Sequence, residues 1–375
     1  MPKPLKILLL GDYSNCHRTL ASGLRRLGCE VTLISDGDTW HNCQRDIDIS
    51  RRPGKLGGLE LYLKLSTTLR KHLKGYDIVS VNDANFVGLR PKLIKKVFNR
   101  LKRDNGAVFL NAMSHDVPFL DMLASADSPL KYSEWFIDGK PNRLFLEKQS
   151  DWEEWHNDAL RDYQKFFYDN IDGAASVLYE YHLSLQRLLP ANKIAYGGIP
   201  VDLDMFTPVQ LPEKIDKVKL FLGRDRTRMT MKGSDYLEEA ARTIVERYPD
   251  KAELMIVENR PFDEFIGLLK NAHVVLDQIY SYTPATTALM AMAYGLNVVS
   301  GGEDDYYDFI GEHENQPIIN APVTVEGLTD TLEQIVVHPE LIADRGRKSR
   351  EFVERHNDCK TVAQRYLDFW SSVGN

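Results

Sequence analysis

Phe221-Leu222-Gly223-Arg224, then Asp225–Met231, then Lys232-Gly233-Ser234-Asp235 is the stretch on which the reading of this chain turns. An apolar run leaves at Gly223, an arginine follows, and a lysine stands where a helical pattern opens. An arginine holds two oxygens of an anion at once, a lysine acts as a point charge, and a helix N-terminus adds free N–H groups. The set suits a diphosphate. Its alternative reading is a solvated basic loop, since Arg226 and Arg228 lie here too.

Outward from this stretch, short apolar runs alternate with amphipathic helical stretches. In the first half the strand patterns are Lys6–Leu10, Glu30–Ser35, Asp77–Val81, Ala107–Ala112, Ala174–Leu178 and Lys193–Tyr196. In the second half they are Val218–Leu222, Leu254–Glu258, Val274–Gln278, Asn297–Ser300 and Pro317–Asn320. Continuous apolar strands joined by helices predict parallel sheets covered on both faces, the doubly wound α/β class. So many strands predict two such sheets, with the break in Val201–Lys217, where Pro208 and Pro212 interrupt the pattern. The expected domains are 1–205, 206–358 and a final segment 359–375. Ligands of such sheets bind beyond the carboxyl ends of the strands, here expected to face a cleft between the two domains. Residues 117–155 break the alternation and carry Trp135, Trp152 and Trp155, so they read as a binding loop or a small aromatic insertion in the first domain.

Composition narrows the function. Among 375 residues, 47 Lys+Arg stand against 54 Asp+Glu, a net charge of -7 that gives no electrostatic reason to expect nucleic acid. The charge is uneven: residues 1–205 are net +2 and the rest net -9. Four cysteines without Cys-x-x-Cys spacing make neither a disulfide framework nor a zinc site, and the ten histidines form no His-x-x-x-His pair. Asp36-Gly37-Asp38 and Asp202-Leu203-Asp204 are acidic triplets too common to predict a metal, and none is expected. The apolar run after Lys6 is too short for a signal sequence, so a cytoplasmic location is expected.

Several further segments fall at expected strand ends. Tyr280–Thr287 follows Asp277-Gln278, and Thr283 with Pro284 reads as an N-cap and first helical residue, leaving N–H groups toward a ligand. Gly11-Asp12-Tyr13-Ser14-Asn15-Cys16-His17 joins the first strand to its helix without a Gly-x-Gly-x-x-Gly pattern, which disfavours a nicotinamide dehydrogenase. Asn82-Asp83 and Ser114-His115-Asp116 occupy matching positions. Residues 90–103 mix Lys92, Lys95, Lys96, Arg100, Lys102 and Arg103 with apolar residues. This stretch reads as a sheet-covering helix with a solvated face or as a peripheral contact with anionic membrane at its inner face.

Four ordered motifs carry a resemblance. Gly197-Gly198-Ile199-Pro200-Val201-Asp202-Leu203-Asp204-Met205-Phe206-Thr207-Pro208, Phe221–Gly233, Met290–Val299 and the tail from Pro339 through Arg345–Arg355 are similar to signatures of glycosyltransferase family 4. The resemblance implies a GT-B fold, with an N-terminal acceptor domain, a C-terminal nucleotide-sugar domain and a last helix, Thr361–Trp370, crossing back. It implies transfer of a sugar from a nucleoside-diphosphate sugar, with retention and without a bound metal or other cofactor, to a glycan or lipid-linked acceptor in cell-surface polysaccharide or glycoconjugate synthesis. The rival readings are a nucleotide-sugar epimerase or phosphorylase on the same fold, or a non-catalytic nucleotide-sugar-binding module.

By resemblance, Arg224 and Lys232 neutralise the donor diphosphate and His115 lies near the transferred sugar. The donor side takes Gly11, Asp12, Tyr13, Asn259, Arg260, Tyr282, Thr283, Ala285 and Thr286. The acceptor side takes Ser14, His17, Asn82, Asp83 and Asp116. The family's pair of glutamates would fall at Tyr282 and Met290, neither of them acidic.

Overall fold

The strand Ile7-Leu8-Leu9-Leu10 is apolar at every position and has no exposed surface, as expected for a central parallel strand covered on both faces. In the computed structural model, which describes residues 3–37 and 44–373, it is the third strand of a seven-stranded sheet. The chain begins β1 (Lys6–Leu10), α1 (Cys16–Arg26), β2 (Glu30–Ser35), β3 (Ile47–Asp48), α2 (Gly54–Ser66), β4 (Ile78–Val81), α3 (Pro91–Asp104), β5 (Ala107–Ala112) and α4 (Val117–Ala124). A small hairpin, β6 (Phe136–Ile137) and β7 (Lys140–Pro141), precedes α5 (Arg143–Glu147), α6 (Gln149–Trp155), α7 (Asp158–Asn170), β8 (Gly173–Ser176), α8 (Tyr179–Leu188) and β9 (Ile194–Tyr196). The first sheet runs β3-β2-β1-β4-β5-β8-β9, and all its pairs are parallel.

The second sheet has five parallel strands in the order β11-β10-β12-β13-β14. Its elements are β10 (Val218–Arg224), α9 (Met229–Lys232), α10 (Ser234–Arg247), β11 (Ala252–Glu258), α11 (Phe262–Leu269), β12 (Val274–Leu276), α12 (Thr286–Ala293), β13 (Asn297–Ser300), α13 (Asp304–Ile310) and β14 (Ile319–Asn320). Helices α14 (Val325–Val337), α15 (Ile342–His356) and α16 (Cys359–Val373) complete the chain.

The chain divides into two compact units. One holds Met1–Met122, Gln149–Pro200 and Cys359–Asn375; the other holds Leu123–Lys148 and Val201–Asp358. The sequence reading placed all of 117–155 in the first domain, whereas Leu123–Lys148 group with the second unit. The reason is visible in its bonds: the Lys131 N–H donates to the Tyr282 hydroxyl at 2.8 Å, and Arg143 pairs with Asp235. The stretch 149–170 forms two helices, α6 and α7, because the Asn157 side chain accepts from the Leu160 N–H at 3.0 Å and starts a new one.

The core of the first unit is finished by α16. Val362, Ala363, Tyr366, Phe369 and Trp370 are buried with Leu20, Leu24 and Phe109, and the Tyr366 hydroxyl donates to Asn111 at 2.7 Å. Gly23 allows this fit, since a Cβ there would lie 2.0 Å from the Cys359 carbonyl oxygen. Burial of a large apolar side chain contributes about 1.5–3 kcal/mol.

Candidate functional site

The second unit gathers its charges at the carboxyl ends of β10, β11 and β12. Register sets Arg224 directly beside Glu258, so the strand pairing itself makes an ion pair. The Arg224 Nε and Nη2 donate to Glu258 Oε2 at 2.9 and 2.6 Å, and Nη1 donates to Glu238 on α10. The guanidinium holds the Glu258 carboxyl below the usual range, and Arg226 adds to this at 2.6 Å. Three of the five Arg224 N–H donors are engaged in these bonds.

Lys232 ends the short helix α9, and Gly233 follows at φ 65. Only glycine fits there, because a Cβ would meet the Ile279 side chain at 2.4 Å. The Ile279 N–H donates to the Lys232 carbonyl at 3.0 Å and ties this turn to the end of β12. The Lys232 Nζ then lies 3.1 Å from Asp277 Oδ1, whose carboxylate is buried and accepts from Ser300 Oγ at 3.4 Å. Glu238, Glu258 and Asp277 were not among the site residues expected from the sequence; strand register is the signal for Glu258, and the residue after an apolar strand is the signal for Asp277.

Tyr282 is buried, and its ring stacks on Tyr132 at 4.8 Å. Burial pushes its hydroxyl up to about 12. The Tyr132 hydroxyl donates to Glu303 at 2.7 Å, and Asn320 donates to the same oxygen at 2.6 Å. Met290 is buried in α12. Thr283 is buried but does not cap α12: Ala285 occupies that position and Thr286 is the first helical residue. The helix starts late because Ser281 Oγ donates to the Thr283 carbonyl at 3.0 Å and holds the preceding residues in a bend. Its first N–H groups, from Thr286 onward, have no acceptor within the helix. Asn259 has φ 53 and reaches Glu258 at 3.4 Å, and Arg260 is exposed beside Glu264 at 3.3 Å.

In the first unit the residues singled out from the sequence also meet at strand ends, but most are engaged by the chain. Asp12 accepts the N–H groups of His17 and Arg18 at 2.9 and 3.1 Å, so it caps α1. His17 is fully buried with Nδ1 2.7 Å from the Gly11 carbonyl, and burial lowers its pKa to about 4. Gly11 has φ +81 and passes so close to Asn82 that a Cβ would lie 1.9 Å from its Oδ1. Ser14 is left-handed at φ 51, and Tyr13 is 39% exposed.

Asp83 accepts from the Asn85 N–H and Ser114; burial, with Asp116 and Asp36 nearby, raises its pKa to about 6. Asp116 is buried and accepts from the Phe119 N–H at 2.9 Å and from the Tyr168 hydroxyl; burial raises its pKa. His115 is half-buried and stacks on Phe119 at 5.3 Å. Thus the structure brings Asp83, Ser114, His115 and Asp116 together, while Asp12 and His17 serve the first turn.

Of the acidic triplets, Asp38 lies outside the described residues, and Asp202 is buried while Asp204 is exposed. Among the described residues no cluster of His, Cys, Asp and Glu is placed to hold a metal ion, and no helix is long and apolar enough to cross a membrane.

No protein-family model matches the chain, and no curated protein matches it. Solved structures do. Sucrose-phosphate synthase from Thermosynechococcus elongatus is 16% identical with a TM-score of 0.60, covering 98% of this chain and 99% of that one. Anabaena HepE in complex with UDP-glucose is 13% identical with a TM-score of 0.60, covering 98% and 100%. A putative UDP-N-acetylglucosamine 2-epimerase from Listeria monocytogenes is 12% identical with a TM-score of 0.53, covering 98% and 95%. At these identities the likeness is one of fold. The chain has the mixed α/β architecture with parallel sheets found in GT-B glycosyltransferases.

Proposed function

We propose that the protein is a glycosyltransferase that takes a sugar from a nucleoside-diphosphate sugar and passes it to a glycan or lipid-linked acceptor in cell-surface polysaccharide or glycoconjugate synthesis. The observation that carries this reading is the Arg224 and Lys232 pair at the carboxyl edge of the second sheet, each held by carboxylates and each with donors left over. HepE with UDP-glucose has the same fold and a nucleoside-diphosphate sugar in its structure.

Sugar transfer leaves negative charge on the departing diphosphate. Fixed cations facing that charge stabilise the transition state without reorganising, usually the largest catalytic contribution. Lys232 is oriented by buried Asp277, and Arg224 by Glu238 and Glu258, so both cations are set before a donor arrives. The first N–H groups of α12 add a third positive element, and Asn259, Arg260, Tyr282 and Thr283 belong to the same donor side. His115 is the catalytic candidate of the first unit, near the transferred sugar, and Asp83 and Asp116 are on its acceptor side, where a raised Asp83 pKa suits proton exchange near neutral pH. The reaction proceeds with retention, without a bound metal or other cofactor, in the cytoplasm.

An epimerase is the second reading, favoured by the Listeria structure. Thermal-shift titration with nucleoside diphosphates and their sugars, followed by NMR of the turnover, tests both. A raised melting temperature with acceptor-dependent release of nucleoside diphosphate is expected. Acceptor-independent isomerisation of the sugar assigns the epimerase reading instead, and no shift with any nucleotide refutes both.

A further inference from the structure

Helix α2 carries leucines on two opposite faces. Leu61 and Leu65 are buried against the first unit, while Leu56, Leu59 and Leu63 are 83%, 50% and 52% exposed. The exposed three follow at intervals of three and four residues, so they form one stripe along the solvent side of the helix. A surface helix ordinarily puts polar side chains there. The stripe borders a shallow groove of about 600 Å³ with Pro53, Thr67 and Thr68 in its lining.

The surroundings of the stripe are basic. Residues 51–74 contain seven Lys and Arg and a single acid, Glu60. That acid is already neutralised by Arg52 at 2.7 Å and Lys64 at 3.2 Å. Arg51, Lys55, Arg70, Lys71 and Lys74 are all exposed. Helix α3 lies alongside, since Arg100 donates to the Tyr62 hydroxyl at 2.9 Å and to Ser66 at 2.7 Å, and it adds exposed Lys92, Lys95 and Lys96. Of the apolar side chains of α3, Ile94, Val97, Phe98 and Leu101 are buried and Leu93 is half-buried. Helix α3 therefore supplies charge and no exposed large apolar side chain; the anchor is on α2.

We infer that α2 is a peripheral membrane-docking helix, its Leu56, Leu59 and Leu63 entering the headgroup boundary of an anionic lipid surface while the cations of residues 51–74 and α3 meet the lipid phosphates. An apolar strip flanked by lysine and arginine matches such a surface on both counts: buried area for the leucines and opposite charge for the rim. The inference stands on the first unit alone and is independent of the donor reading.

Co-sedimentation of the full chain with vesicles tests it. The chain is expected to pellet with phosphatidylcholine vesicles that contain phosphatidylglycerol, to stay in solution with phosphatidylcholine alone, and to be released as salt rises. The variant L56E/L59E/L63E is expected to lower the bound fraction about tenfold or more while the chain still melts cooperatively, because those side chains lie on the solvent side of the helix and outside the core. The variant K55Q/K71Q/K74Q keeps the leucines and is expected to weaken binding less while flattening its salt dependence. No pelleting, pelleting indifferent to anionic lipid, or equal pelleting of the leucine variant overturns the inference. A dimer of the unmodified chain that the leucine variant converts to monomer assigns the stripe to a second copy and overturns it too.

Discussion

The carboxyl edges of the two sheets dispose of their charges in opposite ways. In the first unit Asp12 is absorbed by the N-terminus of α1, and His17 is buried and neutral. In the second, Arg224 and Lys232 are braced by carboxylates yet keep 17% and 23% of their side chains exposed. A polar group whose bonding capacity the chain consumes is architecture. One that is held in place with donors to spare is available to a ligand.

The most forceful way to break this comparison is to remove the braced cations. Lys232→Ala or Arg224→Ala is expected to lower turnover about 10²-fold or more, as for loss of a preorganised donor to a developing anion. Steady-state kinetics with a verified nucleotide sugar reads this, and unchanged turnover in both would reassign the edge to architecture.

A smaller effect separates bracing from catalysis. Glu312, buried in the second unit, is held by His356 at 2.8 Å and Arg355 at 2.7 Å, and hydrogen bonds bring its pKa down to about 2 despite its burial. A carboxyl depressed on folding contributes stability above its ordinary 4.5 that is lost as pH falls toward 2. Glu312→Gln is expected to cost about 2 kcal/mol at neutral pH, with the deficit closing near pH 2, in denaturant melts across pH.

Asp83 carries the opposite sign and the smallest effect. Its folded pKa is raised to about 6, so the folded state binds more protons than the unfolded between the ordinary 3.8 and 6. Asp83→Asn removes the cost of holding that charge. A gain of about 1 kcal/mol is expected at neutral pH, fading below pH 4, in the same melts.

The fold was largely legible because its central strands are short, mostly apolar runs. Lys6–Leu10, Glu30–Ser35, Ala107–Ala112 and Asn297–Ser300 stand where their patterns predicted. Local signals misled where distant bonds decided. Thr283 has the chemistry of an N-cap, but Ser281 holds its carbonyl and the helix begins at Thr286. The attachment of Leu123–Lys148 depends on Lys131, Tyr132 and Arg143 finding partners far along the chain. The candidate cations were visible from spacing, whereas their carboxylate braces were not, because register pairs Arg224 with Glu258 across 34 residues. The outward stripe of α2 is not legible in the sequence, because its leucines fall on two faces and nothing local says which one is buried.

Helix α16 has a consequence for how the protein is made. Tyr366, Phe369 and Trp370 follow the whole second unit in the chain, yet they seal a sheet whose strands all precede it. The first unit therefore waits, one face uncovered, until translation of the whole second unit is over. During that interval Leu20 and Phe109 lack the cover that α16 gives them.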